Sequence, residues 1–402
     1  MVSLFSRIIA PIAAIMSFRM LGLFMLIPVF TVYAPDLKGA TPTLIGIALG
    51  SYGLSQGLLQ IPFGLLSDRY GRKSIITIGL LIFAFGSLLG AFAHSITGMI
   101  VARILQGMGA IGSVLIALLA DLTPNNQRTF AMAIIGSSIG VSFGIAFIIS
   151  PFIASHYGLS GIFYLTTFFA LNALLLLHLV IPTPNIEATL LLPAQNNYRE
   201  RLKNVLINPH LQRLNIGIFC QHLILTATFF VVPLRLQDVI LHHQLNTSWH
   251  FYALMLSIAF AAMIPIIIFA EKKQYTKQVF VISVFITGLC QLGLLCFPND
   301  WPMFAGTLLI YFIVFNVLEA MLPSIISRQA PAANKGAAMG VYSSSQFLGI
   351  FAGGTLAGIV YQISGSSGIY VVNALVAFIW IFIARPMKLP YQTHQPMAQD
   401  SV

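Results

Sequence analysis

Glu319 is the one acidic residue that falls inside a long apolar run of this sequence; Arg19, Arg103, His222 and His178 are the other ionisable side chains so placed. Putting a charged side chain in hydrocarbon costs at least about 2.5–3.5 kcal/mol, so such a group is either paired or used. A buried carboxyl group suits reversible proton binding. An arginine that approaches it in one state and withdraws in another would release and load that proton. Arg19 and Arg103 are candidates for this part, with Glu319 as the carrier. His222 is the second candidate carrier, being the other buried group that titrates near neutral pH. The competing reading of Glu319 is a fixed ion pair with an arginine, holding two helices together. His178 reads as a packed histidine.

A second concentration of chemistry is "FGLLSDRYGRKSI", Phe63 to Ile75. Asp68, Arg69, Arg72 and Lys73 put four charges into six positions of a chain that is only 7% charged, with Gly64 and Gly71 beside them. Arg69 and Lys73 fit a basic anchor at a membrane face. Asp68 does nothing for orientation, and the glycines allow close approach of another backbone. A carboxylate at such a contact can sit on a helix N-terminus.

The elements that carry these groups follow from composition. The 402 residues are 58% hydrophobic, with a mean hydropathy of +0.90, which excludes a soluble globular chain. Apolar runs of about 20 residues recur, each long enough to cross a bilayer. They give twelve expected helices at 8–31, 44–67, 75–93, 97–120, 130–155 and 159–182, then 211–236, 250–270, 277–298, 301–324, 337–362 and 366–385. The expected organisation is a six-helix bundle over 1–182, a linker over 183–210, a second six-helix bundle over 211–385 and a tail over 386–402. Sixteen of the 20 Lys and Arg fall at the ends and loops of one side, so both termini are expected in the cytoplasm. The net charge of +10 is scattered rather than gathered in a stripe, which argues against a nucleic-acid partner. Cys220, Cys290 and Cys296 lie in apolar segments without metal-ligand spacing. Shifting the sequence by 207 residues aligns "PNNQRTFAMAIIGSS" (Pro124–Ser138) with "PAANKGAAMGVYSSS" (Pro331–Ser345), pairing helix five with helix eleven. Such a duplication marks secondary transporters, with the site between the halves.

Gly64-x-Leu66-Ser67-Asp68-Arg69-x-Gly71-Arg72-Lys73 resembles the hairpin between helices two and three of the major facilitator superfamily. The resemblance implies an all-α membrane protein of twelve helices in two pseudo-symmetric bundles. It also implies that Asp68 meets the start of helix eleven, near Gly336 to Met339, and that Arg72 pairs with Asp121. Asp68, Arg72 and Asp121 would then form a latch between the halves. "RILQGMGAIG", Arg103 to Gly112, resembles the helix-four element associated with proton coupling. Helix five of antiporters carries Gly-x-x-x-Gly-Pro-x-x-Gly-Gly; here Ala146, Ser150, Pro151 and Ala154 stand in that pattern, small but without its glycines. The whole chain is similar to the YajR-type drug:proton antiporters, including "FRMLGLFMLIPVF", "FNVLEAMLPSIIS" and "GAAMGVYSSSQFLG". Some of that type add a soluble domain after helix twelve; a chain without it is expected here. Phe18, Phe24, Met25, Gln106 and Asn316 are the expected cavity residues.

Two other patterns are false signals. Gly107-Met-Gly109-Ala-Ile-Gly112 fits a dinucleotide loop and Gly136-Ser-Ser138-Ile-Gly140 a nucleophile elbow, but both lie within membrane helices, where small residues serve packing. No phosphate-binding ATPase loop is present, so the expected energy source is a proton gradient, with no cofactor, no metal and no enzyme activity. The leading expectation is proton-coupled export of small amphipathic molecules by a monomer in the bacterial inner membrane. Its partners are the small-molecule substrate, protons and the lipid bilayer. Proton-coupled nutrient uptake and a non-transporting receptor are the alternatives.

Overall fold

A computed structural model describes residues 5–124, 126–183, 198–242, 247–331 and 334–387. Glu187, Lys388, Asp400, half of the expected linker and most of the expected tail lie outside them. Among the described residues the regular elements are helices, joined by turns and short irregular connections, with one isolated bridge between Lys38 and Ser95. A short π-helix, Phe5–Ile9, leads into helix one, Ala10–Phe24, with a proline in the first turn, where its missing N–H is not needed. Helix two is Pro42–Tyr70, started by Thr41, whose hydroxyl accepts from the Leu44 amide at 3.3 Å. Helix three is Arg72–Ala91. Helix four comes in two pieces, Ile96–Met108 and Gly112–Leu122. Helices five and six form one run, Arg128–Leu179. Within the expected linker, Tyr198–Ile207 is a further helix. Helices seven to ten are Pro209–Leu241, Ser248–Lys272, Thr276–Cys296 and Trp301–Gln329, and helices eleven and twelve share the run Lys335–Ala384.

The two long runs contain apolar stretches of 50 residues, twice what a bilayer needs, and each turns back at one glycine. Gly158 has φ 61° and ψ −162°, and Gly365 has φ 66° and ψ −160°. A side chain is strained in that region, so glycine makes the corner. These two corners are separated by the same 207-residue offset as the sequence repeat, which independently relates helices five and six to helices eleven and twelve.

Two expected helices are corrected. Helix one was expected unbroken over 8–31, but residues 25–29 form tight turns instead. Pro28 has no N–H to give and its ring crowds the carbonyl four residues back. The amides of Ile27 and Val29 bond three residues back, to Phe24 and Leu26. Helix four was expected unbroken over 97–120, but it breaks at 109–111. Gly107 packs its α-carbon against the Tyr52 carbonyl and Ser55 of helix two, and Gly109 against the Gly79 carbonyl of helix three. Glycine's low helix propensity makes the break cheap there.

The packing of the halves is uneven from end to end. Away from the basic loops, one core unites both halves, with Phe30, Phe143 and Phe147 against Phe229, Tyr252, Phe312 and Phe315. At the basic end the core divides, one part around Ile76, Leu115 and Leu118 of the first half and one around Ile218, Leu322 and Ala338 of the second. Helices two and eleven show the same taper. A Cβ on Gly46 would lie 2.2 Å from the Gly354 carbonyl, and one on Gly53 would lie 2.4 Å from the Phe347 carbonyl. Toward the basic end, a Cβ on Gly57 would still be 3.0 Å from Leu348, whereas Gly340 of helix eleven reaches only Ile61, at 3.8 Å. The halves are therefore sealed at the far end and parted at the basic end.

Candidate transport site

In the second half, helices seven, ten and eleven bring four polar side chains to one place. Glu319 lies ten residues from the end of helix ten, and its side chain is 36% exposed although it sits within the span. His222 Nε2 is 3.9 Å from Glu319 Oε2. Gln346 Nε2 is 2.9 Å from His222 Nε2 and donates to Glu319 Oε1 at 3.4 Å. Gln221 Nε2 donates to the Phe315 carbonyl at 3.1 Å and approaches Glu319 Oε2 at 3.5 Å.

The hydrogen bonds assign the histidine. Nδ1 lies 3.3 Å from the Ile218 carbonyl, which can only accept, so Nδ1 carries the proton. Nε2 is then the acceptor for Gln346, and the ring is neutral. A proton arriving at Nε2 would turn it into a donor facing Glu319. The cluster thus offers one proton two adjacent seats.

The first half holds the arginines, and their surroundings are separate. Arg103 is 1% exposed; its Nη1 donates to Gln106 Oε1 at 2.9 Å, and its guanidinium lies 4.9 Å from the centre of the Tyr52 ring. Gln106 in turn donates to Ser87 Oγ at 2.9 Å. Arg19, also 1% exposed, donates from Nε at 3.4 Å to the Gly109 carbonyl, which at the break in helix four also accepts from the Ile111 amide at 2.8 Å. Neither arginine pairs with Glu319 among the described residues, so the expected Glu–Arg pair is not made in this state. Gln106 and Met25, expected to line the cavity, are packed away: Gln106 is 0% exposed and Met25 1%. Asn316 is buried as well and donates to the Phe312 carbonyl of its own helix at 2.9 Å. Phe18 stacks on Phe169 at 5.1 Å, and Phe24 meets Phe143 edge-on at 5.1 Å; both keep partial exposure.

In the helix two–three hairpin, Arg72 Nε donates to Asp121 Oδ2 at 2.9 Å and Nη1 donates to Ser67 Oγ at 2.6 Å, while Nη1 also pairs with Asp68. Gly71, at φ 90°, makes the corner. Lys73 Nζ donates to the Ile181 carbonyl at 2.5 Å, and Arg69 lies over its neighbour Tyr70. Gly64 faces Ser113 of helix four. The Asp68 side chain is 58% exposed, and a Cβ on Gly336 would meet nothing within 4 Å. The expected contact of Asp68 with helix eleven is therefore not made while the basic end is parted, and the three charges are joined within the first half. On helix five, Ala146 and Ala154 are buried, and the Ser150 hydroxyl, one residue before Pro151, donates to the Met25 carbonyl at the break in helix one. His178, expected to be packed, is exposed and hydrogen-bonded to Thr77 at 2.9 Å.

Gln346 and Gln221 were missed by sequence reasoning, as were Gln56 and Gln60 of helix two. The available signal was a long polar side chain within an apolar span, the same signal that marked Glu319.

Among the described residues, twelve membrane helices in two repeated bundles, parted at one end, have the form of a secondary transporter. The family model of the Major Facilitator Superfamily matches residues 12–273 and 216–400, and the chain belongs to that superfamily. It is 42% identical over 380 residues to the inner membrane transport protein YajR of Escherichia coli (strain K12), covering 94% of this chain and 83% of the relative. It is 27% identical over 367 residues to the quinolone resistance protein NorA of Staphylococcus aureus (strain COL), covering 87% and 89%. A crystal structure of a D-xylose–proton symporter superposes with a TM-score of 0.75 at 16% identity, covering 95% of this chain and 98% of that one. This protein is accordingly an integral membrane transporter of small molecules, of the bacterial inner membrane, and not an enzyme.

Proposed function

We propose that this protein exports small amphipathic molecules in exchange for protons, with Glu319 and His222 sharing the transported proton. The observation that carries the reading is the Glu319 side chain, held within the span by the neutral partners Gln221, Gln346 and His222 and only partly buried. A carboxylate paired with arginine would hold its charge through the cycle; one beside a neutral imidazole can exchange it. If the basic loops face the cytoplasm, the parted end faces inward, and Glu319 would exchange its proton with that side. Similarity to a quinolone resistance protein supports a drug-like cargo. The proton gradient supplies the energy, and a monomer suffices, because both halves of the site lie in one chain.

The test is proton flux in proteoliposomes containing a trapped pH dye, driven by quinolones and other lipophilic compounds. Substrate-driven proton movement opposite to the substrate, lost in Glu319→Gln, is the expected result. Flux unchanged by Glu319→Gln and by His222→Gln would overturn the assignment. The loss of the antiporter glycines at Ala146, Ser150 and Ala154 favours a second reading, proton-coupled uptake, and proton movement in the same direction as the substrate would establish it.

A further inference from the structure

The first half carries an unbalanced charge at its centre. Arg19 and Arg103 are both 1% exposed, and the acids of this half, Asp36, Asp68 and Asp121, all lie in loops or at helix ends. Arg103 is served by Gln106 and the Tyr52 ring. Arg19 has only the Gly109 carbonyl at Nε; its Nη1 and Nη2 are buried without a hydrogen-bond partner. A buried charge with unmet donors costs several kcal/mol and calls for a counter-charge.

The surroundings of those two nitrogens favour an anion. They lie at the start of the second piece of helix four, Gly112–Leu122, where the first amides have no carbonyl one turn back and the helix dipole is positive. A Cβ on Gly112 would lie 3.2 Å from Arg19 Nη1 and 3.4 Å from Gln60 Nε2, so the missing side chain lets guanidinium, amide and helix start share one point. Gln60 is held in place by Gln56, whose Nε2 donates to Gln60 Oε1 at 3.0 Å. The groups nearest that point, Arg19 Nη1 and Gln60 Nε2, are donors; Gln60 Oε1, 3.9 Å away, is engaged by Gln56, and no acid pairs with Arg19 among the described residues.

We propose that Arg19, Gln60 and the start of the half-helix Gly112–Leu122 form a binding site for one small monovalent anion, either a free halide or the carboxylate of an organic ligand. This goes beyond proton-coupled export and does not depend on it. A salt-dependent fixed charge of this kind would make the fold of the first half sensitive to the anion present.

The purified full chain, in detergent, would be unfolded thermally in a bulky sulfonate buffer while sodium chloride, sodium bromide or sodium acetate is titrated in at constant ionic strength. A ligand that binds only the folded state raises Tm saturably, here by at least about 2 °C. A rise with halides and not acetate assigns a halide site, and the reverse assigns a carboxylate site. Arg19→Gln should abolish the response. Gln60→Glu keeps the acceptor for Gln56 and supplies a resident anion, so its Tm without added anion should equal or exceed that of the saturated wild type, with no further rise. No saturable response in the wild type overturns the proposal. An undiminished response in either variant does the same.

Discussion

Gly46→Ala is the sharpest test of how the two halves close. The added Cβ would stand 2.2 Å from the Gly354 carbonyl, 2.8 Å from the Gly358 α-carbon and 2.9 Å from its amide nitrogen. All three atoms are backbone of helix eleven, so no side chain can turn aside. Ordinary contact needs about 3.5 Å, and helices two and eleven must part by about 1 Å at this level. Overpacking of that kind costs about 1–3 kcal/mol. The cost falls on the state in which the far end is sealed. Alanine's better helix propensity, about 1 kcal/mol, acts on helix two in both states and cancels from their ratio. The open population at the far end should therefore rise about 5–150-fold. Spin labels at Ala40→Cys and Ile363→Cys, with Cys220, Cys290 and Cys296 replaced by serine, report the distance by pulsed electron resonance. Gly136→Ala is the control, since a Cβ there meets nothing within 4 Å. An unchanged distance distribution in Gly46→Ala would refute the reasoning, as would an equal shift in the control.

Two further outcomes are expected. Arg72→Ala should slow transport and leave substrate affinity unchanged, and a double-mutant cycle of Arg72 with Asp121 should give a coupling of about 0.2–1 kcal/mol by thermal unfolding, because the pair is only partly buried; equal losses of affinity and rate would contradict the latch. Ser150→Ala removes the hydrogen bond from helix five to the Met25 carbonyl, and should cost about 1–3 kcal/mol of stability by leaving a buried acceptor unmet; a Tm equal to wild type would show that the contact contributes nothing.

Much of this protein was decided by sequence alone. Apolar runs of bilayer length dictate membrane helices whatever their neighbours, because hydrocarbon leaves the backbone no other partner. The hairpin's charges stood out as a cluster, but the pairing of Arg72 with Asp121, 49 residues on, came only through the resemblance, because it depends on the end of helix four packing beside the corner at Gly71. Glu319 stood out because a charge in hydrocarbon is costly wherever it faces.

Other features depended on contacts that no local pattern encodes. The break at Gly109 reflects the backbones of helices two and three pressing against helix four, and the turn at 25–29 is fixed by Pro28 together with Ser150 from another helix. Glu319 and His222 are 97 positions apart, and sequence offered them as rivals; packing of helices seven, ten and eleven made them neighbours, with Gln346 between. The arginines went the other way. Buried polarity alone allowed Arg19 or Arg103 to serve Glu319, but each bundle positions its own polar groups, and only the arrangement of the two bundles decides which charges meet. That arrangement is set by backbone contacts at Gly46, Gly53 and Gly354, where the informative feature is a missing side chain.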